Sequence, residues 1–138
     1  MAEASSSSND MDMVSVEDLS MREALKMCRE TTTIETIIAL TKHENPIVRQ
    51  NALKQMCPCR VKEDLSDFWA RVLQMTHDEA DNVRQQVLHT LCDGSPNHME
   101  YEVIAAVEDF NRDPNPKIRR TAHKVLGTYR KKRKWNIL

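Results

Sequence analysis

The sequence predicts an all-α fold: a short α–α superhelix of about three helical hairpins behind an N-terminal capping helix. Three observations predict it. The composition favours helix, because Gly94 and Gly127 are the two glycines in 138 residues and aromatics make up 4%. From residue 33 onward the apolar positions recur at a fixed interval of 35 residues. Within each recurrence those positions fall at helical spacings and do not alternate as in a strand.

Residues 1–14 are Ser-rich, polar and aperiodic, and read as a disordered tail. "SVED" at 15–18 has the form of a capping box, with Ser15 as cap and Asp18 three residues on. It would open a capping helix over 15–29 that carries Leu19, Ala24, Leu25 and Cys28. Three units follow, at about 33–59, 64–92 and 97–130. Their columns are Ile34/Trp69/Ile104, Ile37/Val72/Val107 and Leu40/Met75/Phe110 in a first helix. In a second helix they are Val48/Val83/Ile118, Ala52/Val87/Ala122 and Met56/Leu91/Leu126. The first set is spaced i, i+3, i+6 and the second i, i+4, i+8, so each unit reads as two amphipathic helices. Between them lie "KHENP", "HDEADN" and "RDPNP", turn-formers in which Pro46 and Pro116 are placed to open a second helix. A lone hairpin cannot bury its apolar stripe, whereas stacked copies can. Residues 135–138 form an apolar tail, "WNIL", expected to fold back over the edge of the last hairpin, the alternative being a sticky patch for a partner or a second copy.

Across the turns an Asp precedes an Arg by six positions, at Asp78/Arg84 and Asp113/Arg119, with Arg49 matching in the first unit. An aliphatic residue stands just before each Arg. With "DPNPKIRRTAHKVL" and "HDEADNVRQQVLHTL" as its most specific parts, this pattern over residues 33–130 resembles the HEAT-repeat family of armadillo-like α-solenoids. The resemblance implies an Asp–Arg ladder through Asp78, Arg84, Asp113, Arg119 and Arg49 that links neighbouring repeats. The chemistry is apt, because a turn carboxylate accepts a forked guanidinium in a fixed geometry. The first unit departs from the pattern, with His43 where the Asp would stand. The resemblance also implies that the second helices line a concave binding surface.

On those second helices the positions opposite the apolar columns are Gln50 and Lys54, Gln85 and His89, and Arg120 and Lys124, a stripe that turns basic in the third unit. From 117 to 134 there are nine Lys or Arg and no acid, ending in the cluster Arg130, Lys131, Lys132, Arg133 and Lys134. The acids gather on first helices, as at Glu63, Asp64 and Asp67 and at Glu100, Glu102, Glu108 and Asp109. Formal net charge is only −1, so any electrostatic function rests on this segregation. The expected function is a non-catalytic adaptor that binds an acidic protein or peptide segment through those six residues, with the 130–134 cluster as an auxiliary contact. The alternative is nucleic-acid binding by the same basic face. The cluster also fits a solvated helix end favoured by the macrodipole, or the short basic pattern read by nuclear import receptors.

Other classes find no support in the residues. No apolar run nears the ~20 residues of a membrane span. The N-terminus has neither the basic nor the apolar region of a secretory signal, and Ala2 stands where myristoylation needs glycine. Four cysteines in a helical chain fit a reducing compartment, hence cytosol and possibly nucleus. Cys57-Pro58-Cys59 has no second pair to complete a zinc site. His43-Glu44 has no matching His-Glu pair at 78–79 or 113–114. The expectation is no enzyme, no metal and no cofactor.

Overall fold

The computed structural model describes residues 16–31, 33–55 and 65–138. Among them the secondary structure is helical, with no strand. The chain divides into two compact units, Met1–Val61 and Lys62–Leu138. The division falls inside the "CPCRVKED" break that separates the first two repeats in the sequence.

In the first unit a helical turn at 16–18 precedes α1 (Met21–Glu30), α2 (Ile34–Leu40) and α3 (Pro46–Lys54). The capping helix is thus interrupted where one continuous segment was expected. Ser15 lies outside the described residues, and the cap of α1 is Ser20, whose Oγ accepts the Glu23 N–H at 3.3 Å and meets the Glu23 carboxylate at 3.2 Å. The Ser20 hydroxyl is thus the side-chain cap of α1, with the Glu23 carboxylate bonded to it. α3 begins with Asn45 as N-cap, its side chain accepting the Ile47 N–H at 2.8 Å, and Pro46 in the first turn. The three helices pack mutually around Ala24, Cys28, Ile37, Leu40, Val48, Ala52 and Leu53.

The second unit holds α4 (Ser66–Gln74), a 3₁₀ turn at Met75–His77, α5 (Asp81–Gly94), a 3₁₀ turn at Asn97–Met99, α6 (Glu100–Phe110) and α7 (Pro116–Lys132). Each helix packs on its successor, and in addition α4 packs on α6 and α5 on α7. Of the expected columns Val72, Met75, Val83, Val87, Leu91, Val107, Phe110, Ile118, Ala122 and Leu126 are buried and Ile104 is half-buried, and Phe68, Leu88, Val103 and Val125 complete the core. Each large aliphatic among them contributes about 1.5–3 kcal/mol by leaving water. Trp69 is buried too, edge-on to Phe68 with ring centroids 5.3 Å apart. It is a core residue.

The helix starts repeat one chemistry with one defect. Asn115 caps α7 as Asn45 caps α3, its side chain accepting the Lys117 N–H at 2.9 Å. The matching residue of α5 is Ala80, with nearly the same backbone (φ −93, ψ 128, against −84, 118 at Asn115) and no side chain to cap with. Replacing Ala80 with Asn should therefore stabilise the protein by about 1 kcal/mol. A chemical-denaturation midpoint that rises without change of slope checks it.

Burial also sets the two described cysteines. It pushes the Cys28 thiol from 9.0 up to about 11 and the Cys92 thiol up to about 12. Both groups should resist alkylation in the folded protein at neutral pH, which mass mapping after a brief iodoacetamide pulse would read. Below about pH 9 neither state loses these protons. Above it the unfolded chain ionises first, so stability falls as pH rises toward 11 for Cys28 and 12 for Cys92. Cys57 and Cys59 lie outside the described residues.

Candidate interaction site

The turns come first, because they hold the arginines. At 35-residue intervals one bonding pattern returns. Arg49 Nη1 donates to the carbonyls of His43 (2.9 Å) and Glu44 (2.8 Å), Arg84 Nη1 to Asp78 (2.8 Å) and Glu79 (3.1 Å), and Arg119 Nη1 to Asp113 (2.7 Å) and Pro114 (3.1 Å). One guanidinium nitrogen thus staples each turn to the first coil of the following helix. The other edge of Arg84 reaches the next turn: Nε donates to Asp113 Oδ2 at 2.8 Å and Nη2 to Oδ1 at 3.2 Å. This is a bidentate fork with little access to water, the side chains being 13% and 5% exposed. It holds the Arg84 guanidinium above its already high ordinary pKa. A second link runs beside it, Asn115 Nδ2 to Asp81 Oδ2 at 2.9 Å, which no sequence spacing announced.

The turn carboxylates have another task. Asp78 Oδ1 accepts the Ala80 N–H at 3.0 Å, and Asp113 Oδ1 accepts that of Asn115 at 2.8 Å. In the first unit His43 fills this role with its ring, Nδ1 accepting the Asn45 N–H at 3.0 Å. Its Nε2 lies 2.7 Å from the Leu19 carbonyl and must donate, which fixes the tautomer with the proton on Nε2. Both ring nitrogens are committed, so His43 has no lone pair left for a metal. Among the described residues no three His, Cys, Asp or Glu side chains are grouped to hold one.

The residues expected to meet a partner lie as follows. On α3, Gln50 is half-buried and Lys54 exposed. On α5, Gln85 and His89 are exposed, as are Arg120 and Lys124 on α7. α5 and α7 pack together, so the latter four share one unit. The weight of charge is on α7. Its Lys117, Arg119, Arg120, Lys124, Arg130, Lys131 and Lys132 are all exposed, and the helix carries no acid. Lys117, Lys124 and Lys131 recur every seventh residue with Arg120 between them, a single stripe about 21 Å long at 1.5 Å per residue. Arg119 and Arg130, eleven positions apart, share a second line, turned by roughly 120° about the helix axis from that stripe. α6, by contrast, exposes Glu102, Glu108 and Asp109.

Arg133 stands apart from the expected cluster. It is the left-handed residue that ends α7 (φ 57, ψ 30), its N–H returning to the Tyr129 carbonyl at 2.8 Å. Its guanidinium donates to the Tyr129 hydroxyl at 2.7 Å and reaches Glu100 Oε2 at 3.4 Å, lying 5.3 Å from the Tyr129 ring centroid. Tyr129 in turn donates to the Glu100 carboxylate, which pushes its hydroxyl above the usual phenol range. The chain then reverses, and the tail packs. Trp135 is buried, its Nε1 donating to Ser95 Oγ at 2.7 Å, while Asn136 exchanges two hydrogen bonds with the Ser95 backbone and the Leu138 N–H reaches the Cys92 carbonyl at 2.9 Å. Arg133 thus ends α7 and contacts Tyr129 and Glu100 while staying exposed, as are Arg130, Lys131, Lys132 and Lys134.

The first unit also carries an open depression of about 530 Å³, lined by Val16, Leu19 and Met27 and by Glu23, Lys26 and Glu30 of both signs. Among the described residues no helix is long and apolar enough to cross a membrane. No family model, curated protein or solved structure matches the chain.

Proposed function

We propose that the chain is a non-catalytic interaction module, a short HEAT-like solenoid that binds an acidic segment of a partner protein on its concave, second-helix face, through the exposed basic residues of α7. The observation that carries the reading is the seven exposed cations of α7 with no acid among them. Such a one-sign surface raises the local concentration of an oppositely charged segment and speeds its capture. The solenoid reading is supported by the contacts of α4 with α6 and of α5 with α7, and by the arginine staple that returns in each turn. Gln85 and His89 on α5 extend the face with neutral polar contacts, and Gln50 and Lys54 are the equivalent positions on α3. The module works in the cytosol or nucleus, where thiols such as Cys28 and Cys92 stay reduced.

An acidic protein segment fits better than nucleic acid. Single strands are held by aromatic platforms as well as charge. Trp69, Phe68, Phe110 and Trp135 are all buried, the exposed Tyr101 sits on acidic α6, and the half-buried Tyr129 of α7 is engaged by Glu100, Arg133 and Trp135. Titration with fluorescent poly-aspartate tests the reading. Arg120→Glu combined with Lys124→Glu should weaken binding at least about tenfold at moderate salt, and reversing Glu102 and Glu108 to Lys should not weaken it. A single-stranded oligonucleotide that binds more tightly than poly-aspartate, with a steep loss in salt, would make α7 a phosphate track instead.

A further inference from the structure

Three arginines occupy the same repeat position, and their surroundings open progressively: Arg49 is buried at 7% exposure, Arg84 is half-buried and Arg119 is exposed. All three are stapled by Nη1 to the two carbonyls of their own turn. That staple removes most of the torsional freedom of a long side chain before any ligand arrives, which lowers the entropic cost of binding. In Arg84 the remaining Nε–Nη2 edge holds a carboxylate, that of Asp113, at 2.8 and 3.2 Å. In Arg119 the same edge bonds to no described residue, while the staple is in place at 2.7 and 3.1 Å.

We propose that Arg119 is a carboxylate receptor: the Nε–Nη2 edge of its guanidinium takes an aspartate or glutamate side chain of the partner segment, as Arg84 takes Asp113. The inference rests on the reading of α7 as the binding face and gives that face its one geometrically defined contact. Lys117, Arg120 and Lys124 attract an acidic segment as mobile point charges, and Arg119 fixes its register. A carboxylate matches the planar fork in both its atoms, and a lysine cannot reproduce that match. Phosphate also suits an arginine fork, but the occupant that this chain itself builds for the position is a carboxylate.

The first test compares poly-aspartate binding by the intact protein and by Arg119→Lys, Arg119→Gln and, as a control at an exposed arginine of α1, Arg22→Lys. Arg119→Lys keeps the charge and should still lose about tenfold, close to the loss in Arg119→Gln, with Arg22→Lys within about twofold of wild type. Equal binding by wild type and Arg119→Lys overturns the receptor but leaves the α7 reading standing. Wild type that ignores poly-aspartate at low salt overturns both. Because Arg119→Lys also loosens its turn, the unmutated protein supplies a second readout. The Arg119 Nε–H resonance should move toward that of Arg84 as poly-aspartate is added, and an unmoved resonance while neighbouring α7 amides shift refutes the fork. A larger shift with a single-stranded oligonucleotide would assign the edge to phosphate and overturn the carboxylate.

Discussion

Replacing Asp113 with alanine should cost the fold about 3 kcal/mol, a large share of the ~5–15 kcal/mol that stabilises a typical domain. Two losses combine. The Arg84 fork, only 13% exposed, keeps its charge and loses both acceptor atoms. The Asn115 N–H at the start of α7 loses its acceptor as well. Breaking one side of a shielded ion pair is costly mainly because the surviving charge is left with no partner. Asp113→Asn should be milder, near ~1–2 kcal/mol, since an amide oxygen can still accept from Asn115. Arg84→Ala strands the Asp113 carboxylate in turn, and the double variant should be less damaged than the two single losses added together. Urea melts of the four proteins measure this coupling directly. Additive losses would mean that the fork contributes no energy of its own.

Trp135→Ala should destabilise by about 3 kcal/mol, although it lies in a segment rich in charge and poor in glycine. Trp135 is 5% exposed, packs edge-on against Tyr129 at 6.2 Å between centroids and donates to Ser95 Oγ. Ser95 passes the chain of bonds on, its own hydroxyl donating to the Leu91 carbonyl. Truncation removes the apolar area and the donor together, and it uncovers the end of α5, where Cys92 leaves helical geometry (φ −102, ψ 18). Cys92 alkylation should therefore rise in this variant together with the lowered melting point. Trp135→Phe keeps most of the area and loses the donor, so it should cost about 1 kcal/mol. A tail that merely rested on the surface would leave both readouts unchanged.

What was legible in the sequence follows from how far apart the partners stand. The helices that bear the repeat columns show in the sequence because i, i+3 and i+4 spacings are local and return every 35 residues. The turn arginines show for the same reason. That the Arg84 fork takes the aspartate of the following turn, and not that of its own, depends on packing of pairs 29 residues apart, and only the HEAT resemblance pointed to such a link. The lock of Trp135 on Ser95 joins residues 40 apart and leaves no periodic trace. Nor does a run of Lys and Arg announce a left-handed residue, so Arg133 read as one more cation when it is the stop of α7, tied to Tyr129 and Glu100. His43 looked like a missing aspartate, yet an imidazole nitrogen accepts the same N–H. At the N-terminus a second Ser-x-x-acid pattern, at Ser20, caps α1, with the Glu23 carboxylate on its hydroxyl. Of the proposed binding face, the basic residues were plain in the sequence. The staple that orients Arg119 was not.

Backbone amide shifts of the unmutated protein, titrated with poly-aspartate and separately with a single-stranded oligonucleotide at moderate salt, test the binding face most directly. The account predicts that poly-aspartate moves amides along α7 from Lys117 to Lys131 and leaves those of α6 in place. Shifts confined to other helices, or an α7 that answers only to the oligonucleotide, would contradict it.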